Sequence, residues 1–305
     1  MLPTRTGLVT AAVAAALLTA ACGSGSDDAP ASAPPSTTAV PTTSAAEPSP
    51  SPSGAYLALG DSLAAGYQPG GAELRDAAYP ALAASRLGRA GAELTVENLG
   101  CSGETTGTLL DGGKCTFDEG SQLAQAEAWL EENADDVRLV SIDIGGNDLL
   151  RCATDELTVD EACVGKGLRA VSRNLPEALD RLRSAAGDDV PVLVLGYYNP
   201  WLASGYLDEG QDQLAAAADA FTELTDAIEK ATDDAGATFV SLDEAFALDD
   251  ETPTTFGGRE VPTNVAQVCT LTYTCTAADI HLTEEGAATV ARVLADAAQE
   301  AGVTG

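Results

Sequence analysis

Histidine is almost missing from this sequence: among 305 residues there is one, His281, in Asp279-Ile280-His281-Leu282. One imidazole cannot supply a multi-histidine metal centre, and no Cys-x-x-Cys spacing offers a thiolate substitute, so no metal is expected. Positive charge is scarce too, with 15 Lys and Arg against 47 Asp and Glu and a formal net charge of -32. Nucleic-acid binding needs clustered cations to neutralise phosphates, so the composition argues against such a partner; the acidic surface is read as a solvating one. A phosphate cradle is also lacking, because Gly112-Gly113-Lys114-Cys115 has neither the earlier glycine nor the Ser/Thr of a P-loop. The one long apolar run, residues 7–21, falls short of the roughly 20 residues that a spanning helix requires.

That run instead has the length of a signal-peptide core, preceded by Arg5. It ends in Leu18-Thr19-Ala20-Ala21-Cys22, which is similar to a bacterial lipobox except that Thr19 stands where leucine is commonest. Residues 1–21 are therefore expected to be a lipoprotein-type signal peptide, with Cys22 the lipidated residue. Residues 22–54 are rich in Ser, Pro, Thr and Ala and carry few apolar side chains, so they are expected to be a disordered tether. Residues 55–305 form one folded domain, a monomer in the cell envelope that meets the membrane only through its lipid, or is secreted if Cys22 is not acylated. Beyond Cys22 six cysteines remain, and an even number behind an export signal reads as disulfides. Nearest-neighbour pairing would join Cys101 with Cys115, Cys152 with Cys163 and Cys269 with Cys275, one of the 15 connectivities that six cysteines allow.

Within the domain, residues 56–60, 94–98, 137–144, 190–195 and 238–242 are short apolar segments of the kind that form buried parallel strands. Residues 79–89, 121–132, 167–186, 211–235 and 283–301 have helical composition or periodicity and lie between or after them. Alternating strands and helices imply right-handed crossovers and a parallel sheet covered on both faces, with the ligand crevice at the carboxyl ends of the strands. The first strand ends in Gly60-Asp61-Ser62-Leu63, the second in Asn98-Leu99-Gly100-Cys101-Ser102-Gly103, and the third in Gly145-Gly146-Asn147-Asp148. A serine hydroxyl becomes a useful nucleophile only when a base takes its proton, and His281 is the single imidazole available to Ser62.

Ser62, Gly100, Asn147 and His281, in that order, resemble the SGNH (GDSL-type) hydrolase superfamily over residues 56–301, and the six paired cysteines are similar to its secreted actinobacterial-type lipase and esterase branch. The Gly-x-Ser-x-Ala around Ser62 lacks the final glycine of an α/β-hydrolase nucleophile elbow. The resemblance implies a flavodoxin-like α/β/α sandwich with about five parallel strands, and hydrolysis of carboxylic acyl esters through an acyl-enzyme, without a cofactor. Ser62 would be the nucleophile and His281 the general base, with an oxyanion hole made of the Ser62 and Gly100 N–H groups and the Asn147 amide. The family places an aspartate three residues before the histidine, and here that position is Ala278. Either Asp279, only two residues before, orients the ring, or a backbone carbonyl does so in a Ser/His dyad. Asp61 and Asp148 are read as fixing the turns beside Ser62 and Asn147, and Trp201 as packing at the core or rim rather than lining an acyl pocket. Loops 149–165 and 198–210 are the expected source of acyl selectivity. A lipase or esterase is the leading reading, followed by a carbohydrate acyl esterase and then a non-catalytic binding lipoprotein, for which the aspartate missing at Ala278 is the best support.

Overall fold

A computed structural model describes residues 53–152, 160–203 and 211–305, and for 211–218 only the backbone. The expected signal peptide, Cys22 and nearly all of the tether lie outside the described residues, as do the centres of both loops expected to set selectivity. Five parallel strands form the sheet: β1 (Ser53–Gly60), β2 (Glu93–Asn98), β3 (Val137–Asp143), β4 (Val192–Leu195) and β5 (Thr238–Val240), in the order β2-β1-β3-β4-β5. The helices are α1 (Ser62–Ala65), α2 (Tyr79–Arg89), α3 (Thr106–Asp111), α4 (Gln122–Glu132), α5 (Gly146–Leu150), α6 (Glu161–Ala186), α7 (Gln211–Asp234), α8 (Asp243–Phe246), α9 (Thr263–Leu271), α10 (Thr274–Ala277) and α11 (Glu284–Glu300). Helices α2 and α11 pack together on one face, and α4 and α7 flank α6 on the other, giving the expected α/β/α sandwich. Among the described residues no helix is long and apolar enough to cross a membrane.

The central strands are apolar along their length because both of their faces are covered. Leu57, Leu59, Leu139 and Ile142 are fully buried, and Leu87, Leu179 and Leu294 join them from the helices on the two sides. At the sheet's edge, β2 instead alternates between half-buried and exposed residues. The fourth strand starts two residues later than its apolar run suggests because Pro191 has no N–H to give to the ladder; its carbonyl still accepts from Val140. Helix α6 begins six residues earlier than expected, where Asp160 accepts the Cys163 N–H as a cap. A small antiparallel hairpin, β6 (Pro253–Phe256) and β7 (Arg259–Pro262), completes the described elements.

In the 2-1-3-4-5 strand order, the crossovers leaving β1 and entering β3 run to opposite faces, which opens a crevice at the carboxyl ends of these two strands. Gly60 lies opposite Asp143 in that register, so the loops that carry Ser62 and Asn147 begin side by side. The cysteines pair as Cys101–Cys115, Cys152–Cys163 and Cys269–Cys275. Each bridge adjoins a loop at this end of the sheet: the first holds the loop after β2, the second the segment after α5, and the third the chain shortly before His281.

Candidate active site

Asp61 caps the short helix α1, its Oδ1 accepting the Leu63 N–H at 2.9 Å, and this fixes Ser62 in the first turn, 8% exposed. The Oγ of Ser62 lies 2.8 Å from His281 Nε2, across 219 positions of sequence. On the other side of the ring, His281 Nδ1 lies 2.5 Å from Asp279 Oδ1. The same Asp279 oxygen accepts the backbone N–H of His281 at 2.9 Å, an Asx-type turn that brings a side chain two residues away within reach of the ring. Ala278 makes this possible by adopting a left-handed conformation, φ 51°, which redirects the chain just before Asp279. The segment is then tied down: Tyr273 N–H donates to His281 O at 2.9 Å, Thr283 N–H donates to Leu271 O at 2.9 Å, and the Tyr198 hydroxyl donates to Ile280 O. With Nδ1–H directed at the carboxylate, Nε2 is left as the acceptor for the serine proton, the arrangement that acyl transfer by a serine requires.

A buried polar network supports Asn147 from the opposite side. The Asn147 Nδ2 donates to Asp61 Oδ2 at 3.2 Å, and the Tyr197 hydroxyl donates to the same oxygen at 2.7 Å. Below them, Asp143 Oδ2 accepts the Asp61 N–H at 3.1 Å and Asp143 Oδ1 accepts the Tyr79 hydroxyl at 2.5 Å. Burial, reinforced by the adjacent Asp61 carboxylate, holds the Asp143 carboxyl well above the usual carboxylate range. Asp148 is also buried and accepts both the backbone N–H of Thr106 at 2.8 Å and its hydroxyl at 3.0 Å, joining α5 to α3. Burial raises its pKa, and the Thr106 bonds pull in the other direction. Asp61 and Asp148 thus fix turns, as their positions in the sequence imply, and Trp201 packs half-buried against the core.

The glycine expected in the oxyanion hole is a different matter. Gly100 donates its N–H to Asn98 Oδ1 at 2.9 Å, while the Asn98 amide donates to Ala64 O at 2.8 Å. Its lack of a side chain serves packing, because a Cβ there would stand 2.6 Å from the Ala65 nitrogen. Gly100 is therefore corrected from oxyanion donor to close-packing residue. Gly103 lies three residues on in the same loop, at φ +81° and half-buried. Among the described residues, its N–H and that of Ser62 donate to no protein acceptor. The signal for this distinction was in the sequence: Asn98-Leu99-Gly100 has the spacing at which an asparagine side chain engages the N–H two residues on.

Among the described residues, the one candidate cluster for a metal is Cys101, Glu104 and Cys115, whose potential ligand atoms lie within 4.8 Å of one another. Both sulfurs are consumed in the Cys101–Cys115 bridge, which leaves no thiolate to bind an ion. Glu104 itself is buried, and burial raises its pKa, with Thr108 and Lys114 pulling in the other direction.

A family model for GDSL-like lipases and acylhydrolases matches residues 58–289, from inside β1 to inside α11. The chain belongs to the GDSL-like lipase/acylhydrolase family. Among solved structures, this chain is similar to an extracellular lipase from Streptomyces rimosus, with 26% identity, 80% of this chain and 99% of that one covered, and a TM-score of 0.53. A phospholipase A1 from Streptomyces albidoflavus shares 24% identity over 70% of this chain and 94% of its own, at a TM-score of 0.44. Est24, a carbohydrate acetylesterase from Sinorhizobium meliloti, shares 18% identity over 81% and 99%, at 0.46. No curated protein matches the chain at a significant level.

Two outcomes are expected of this site. Asp279→Asn should lower kcat by about 10³- to 10⁴-fold, as loss of the orienting carboxylate does in other triads, measured as initial rates on an activated short-chain ester; a loss below tenfold would assign the orienting role elsewhere. Because its carboxyl is held above the usual carboxylate range, Asp143 gives up its proton less readily in the fold than in the unfolded chain, so it opposes folding increasingly as pH rises through that range. In urea melts from about pH 4 to 8, the stability of Asp143→Asn relative to the parent should therefore grow with pH, by at most about 1.4 kcal/mol per pH unit. A difference that stays flat or shrinks would contradict a raised Asp143 pKa.

Proposed function

We propose that this protein is a serine ester hydrolase of the lipase and esterase type, exported from the cytoplasm and held at the cell envelope by a lipid on Cys22. The observation that carries the enzymatic part is the hydrogen-bonded line from Asp279 through His281 to Ser62. In the proposed mechanism, His281 Nε2 takes the Ser62 proton as Oγ attacks the acyl carbonyl carbon, and Asp279 steadies the imidazolium that results. The tetrahedral intermediate collapses as His281 returns its proton to the leaving alcohol, giving an acyl-Ser62 ester and the free alcohol. Water, deprotonated by the same imidazole, then attacks that ester, and its collapse releases the carboxylic acid and restores Ser62.

Negative charge on the carbonyl oxygen needs donors aimed at it in advance. We assign these to the N–H groups of Ser62 and Gly103 and to the Asn147 amide. One amide proton of Asn147 is already held by Asp61, which directs the other and keeps the side chain from rotating away. Six paired cysteines support an oxidising compartment, in keeping with the signal-peptide and lipobox-like sequence at residues 1–22. The binding-lipoprotein alternative drew its support from Ala278, and an Asp279 carboxylate bonded to the ring removes that support.

A fluorophosphonate ester probe applied to the purified protein should label Ser62 alone, located by peptide mass spectrometry, and the label should be lost in His281→Ala. No label on a folded protein would sink the proposed mechanism. For the anchor, Cys22→Ala should shift the protein from the membrane fraction to the medium, whereas an unchanged distribution would remove lipidation from the account.

A further inference from the structure

Both nitrogens of the His281 ring are committed in its plane, Nδ1 to Asp279 and Nε2 to Ser62. Acyl transfer converts the neutral ring to an imidazolium, whose charge is spread over all of its atoms. With both nitrogens engaged, the faces remain open to further stabilisation, and the Tyr67 ring lies against the His281 ring, its centroid 4.3 Å away and its plane tilted by 39°.

Tyr67 is held firmly in that position. Its N–H donates at 3.0 Å to the carbonyl of Ser62, so the stacking residue is bonded directly to the nucleophile's own backbone. It pairs with Glu73 in an antiparallel bridge, and the Glu73 carboxylate accepts from the Ser102 hydroxyl at 2.6 Å and from Arg75 at 2.9 Å. On the far side, neighbouring Gln68 accepts from the Tyr273 hydroxyl at 3.2 Å, and Tyr273 N–H in turn holds the His281 carbonyl. The Tyr67 ring is thus braced against both the loop after β2 and the segment that carries the histidine. Its hydroxyl has no hydrogen-bond partner among the described residues, which leaves the aromatic face as the functional part.

We infer that Tyr67 is a positioning residue: it fixes the plane of His281 and, through the electron-rich face of its ring, stabilises the imidazolium formed during acylation and deacylation. The inference rests on the Ser62 and His281 roles proposed above. It is tested on the purified protein with Tyr67→Phe, Tyr67→Leu and pentafluorophenylalanine incorporated at position 67, comparing kcat and KM on one activated ester. Phenylalanine keeps the face and should stay within about twofold of the parent. Leucine removes the face, and pentafluorophenylalanine keeps the shape of phenylalanine but reverses the ring's charge distribution. Both should lose about tenfold in kcat with KM changed by less than about twofold, as expected for an interaction made in the transition state. If the leucine variant does not fold, the fluorinated ring decides. An active parent whose leucine or fluorinated variant keeps full kcat, or whose phenylalanine variant falls as far as leucine, would overturn the role of Tyr67 alone. A folded parent with no turnover would overturn the hydrolase reading and this inference with it.

Discussion

A single carboxylate oxygen organises this active site. Asp279 Oδ1 accepts from the main-chain N–H of His281 and from its ring, so one atom fixes both where the residue sits and how its imidazole is turned. An extended chain would put two residues this close in sequence on the same side without bringing the carboxylate to the ring nitrogen. The left-handed Ala278 and the Asx-type turn close that gap, and backbone bonds to 271–273 hold the result. Nε2 then faces Ser62, and the remaining contacts refine this geometry.

The charge of the chain lends the site a second character. Around the crevice, carboxylates serve as acceptors that position neutral donors. Asp61 collects N–H and O–H groups from Leu63, Asn147 and Tyr197; Asp143 collects them from Asp61 and Tyr79; Asp148 from Thr106. Apart from the Leu63 cap, each bond joins one loop or strand end to another, so the loops that meet at the crevice are held by interactions that a shift of either would break. Burying these carboxyls together is eased because the Asp143 pKa is raised, which favours its neutral form. The three disulfides add covalent limits to the same loops.

Much of this was legible in the sequence. The apolar runs at 56–60 and 137–144 become central strands because a strand covered on both faces has no reason to alternate, and strand ends in a parallel sheet are where chemistry gathers. Ser62 and His281 stood out because one serine followed the first strand and one imidazole existed at all. Gly100 misled because a glycine beyond a strand end suggests a free N–H, whereas the Asn98-x-Gly100 spacing sets an asparagine side chain on it. The reach of Asp279 depended on the left-handed Ala278, a conformation that alanine seldom adopts. The β6–β7 hairpin escaped notice although Phe256-Gly257-Gly258-Arg259 carries a two-residue glycine turn. Nothing along the chain relates Tyr67 to His281; that contact exists only in three dimensions.

The scarcity noted at the outset offers the most direct test of the account. Because the chain has one histidine, an untagged sample labelled with ¹⁵N-histidine gives the NMR signals of a single imidazole, and that imidazole is the candidate base. The account predicts a neutral ring protonated at Nδ1, with that proton far downfield from its short bond to Asp279 and an unprotonated Nε2 facing Ser62. A ring protonated at Nε2, or one averaging freely between the two tautomers, would contradict it.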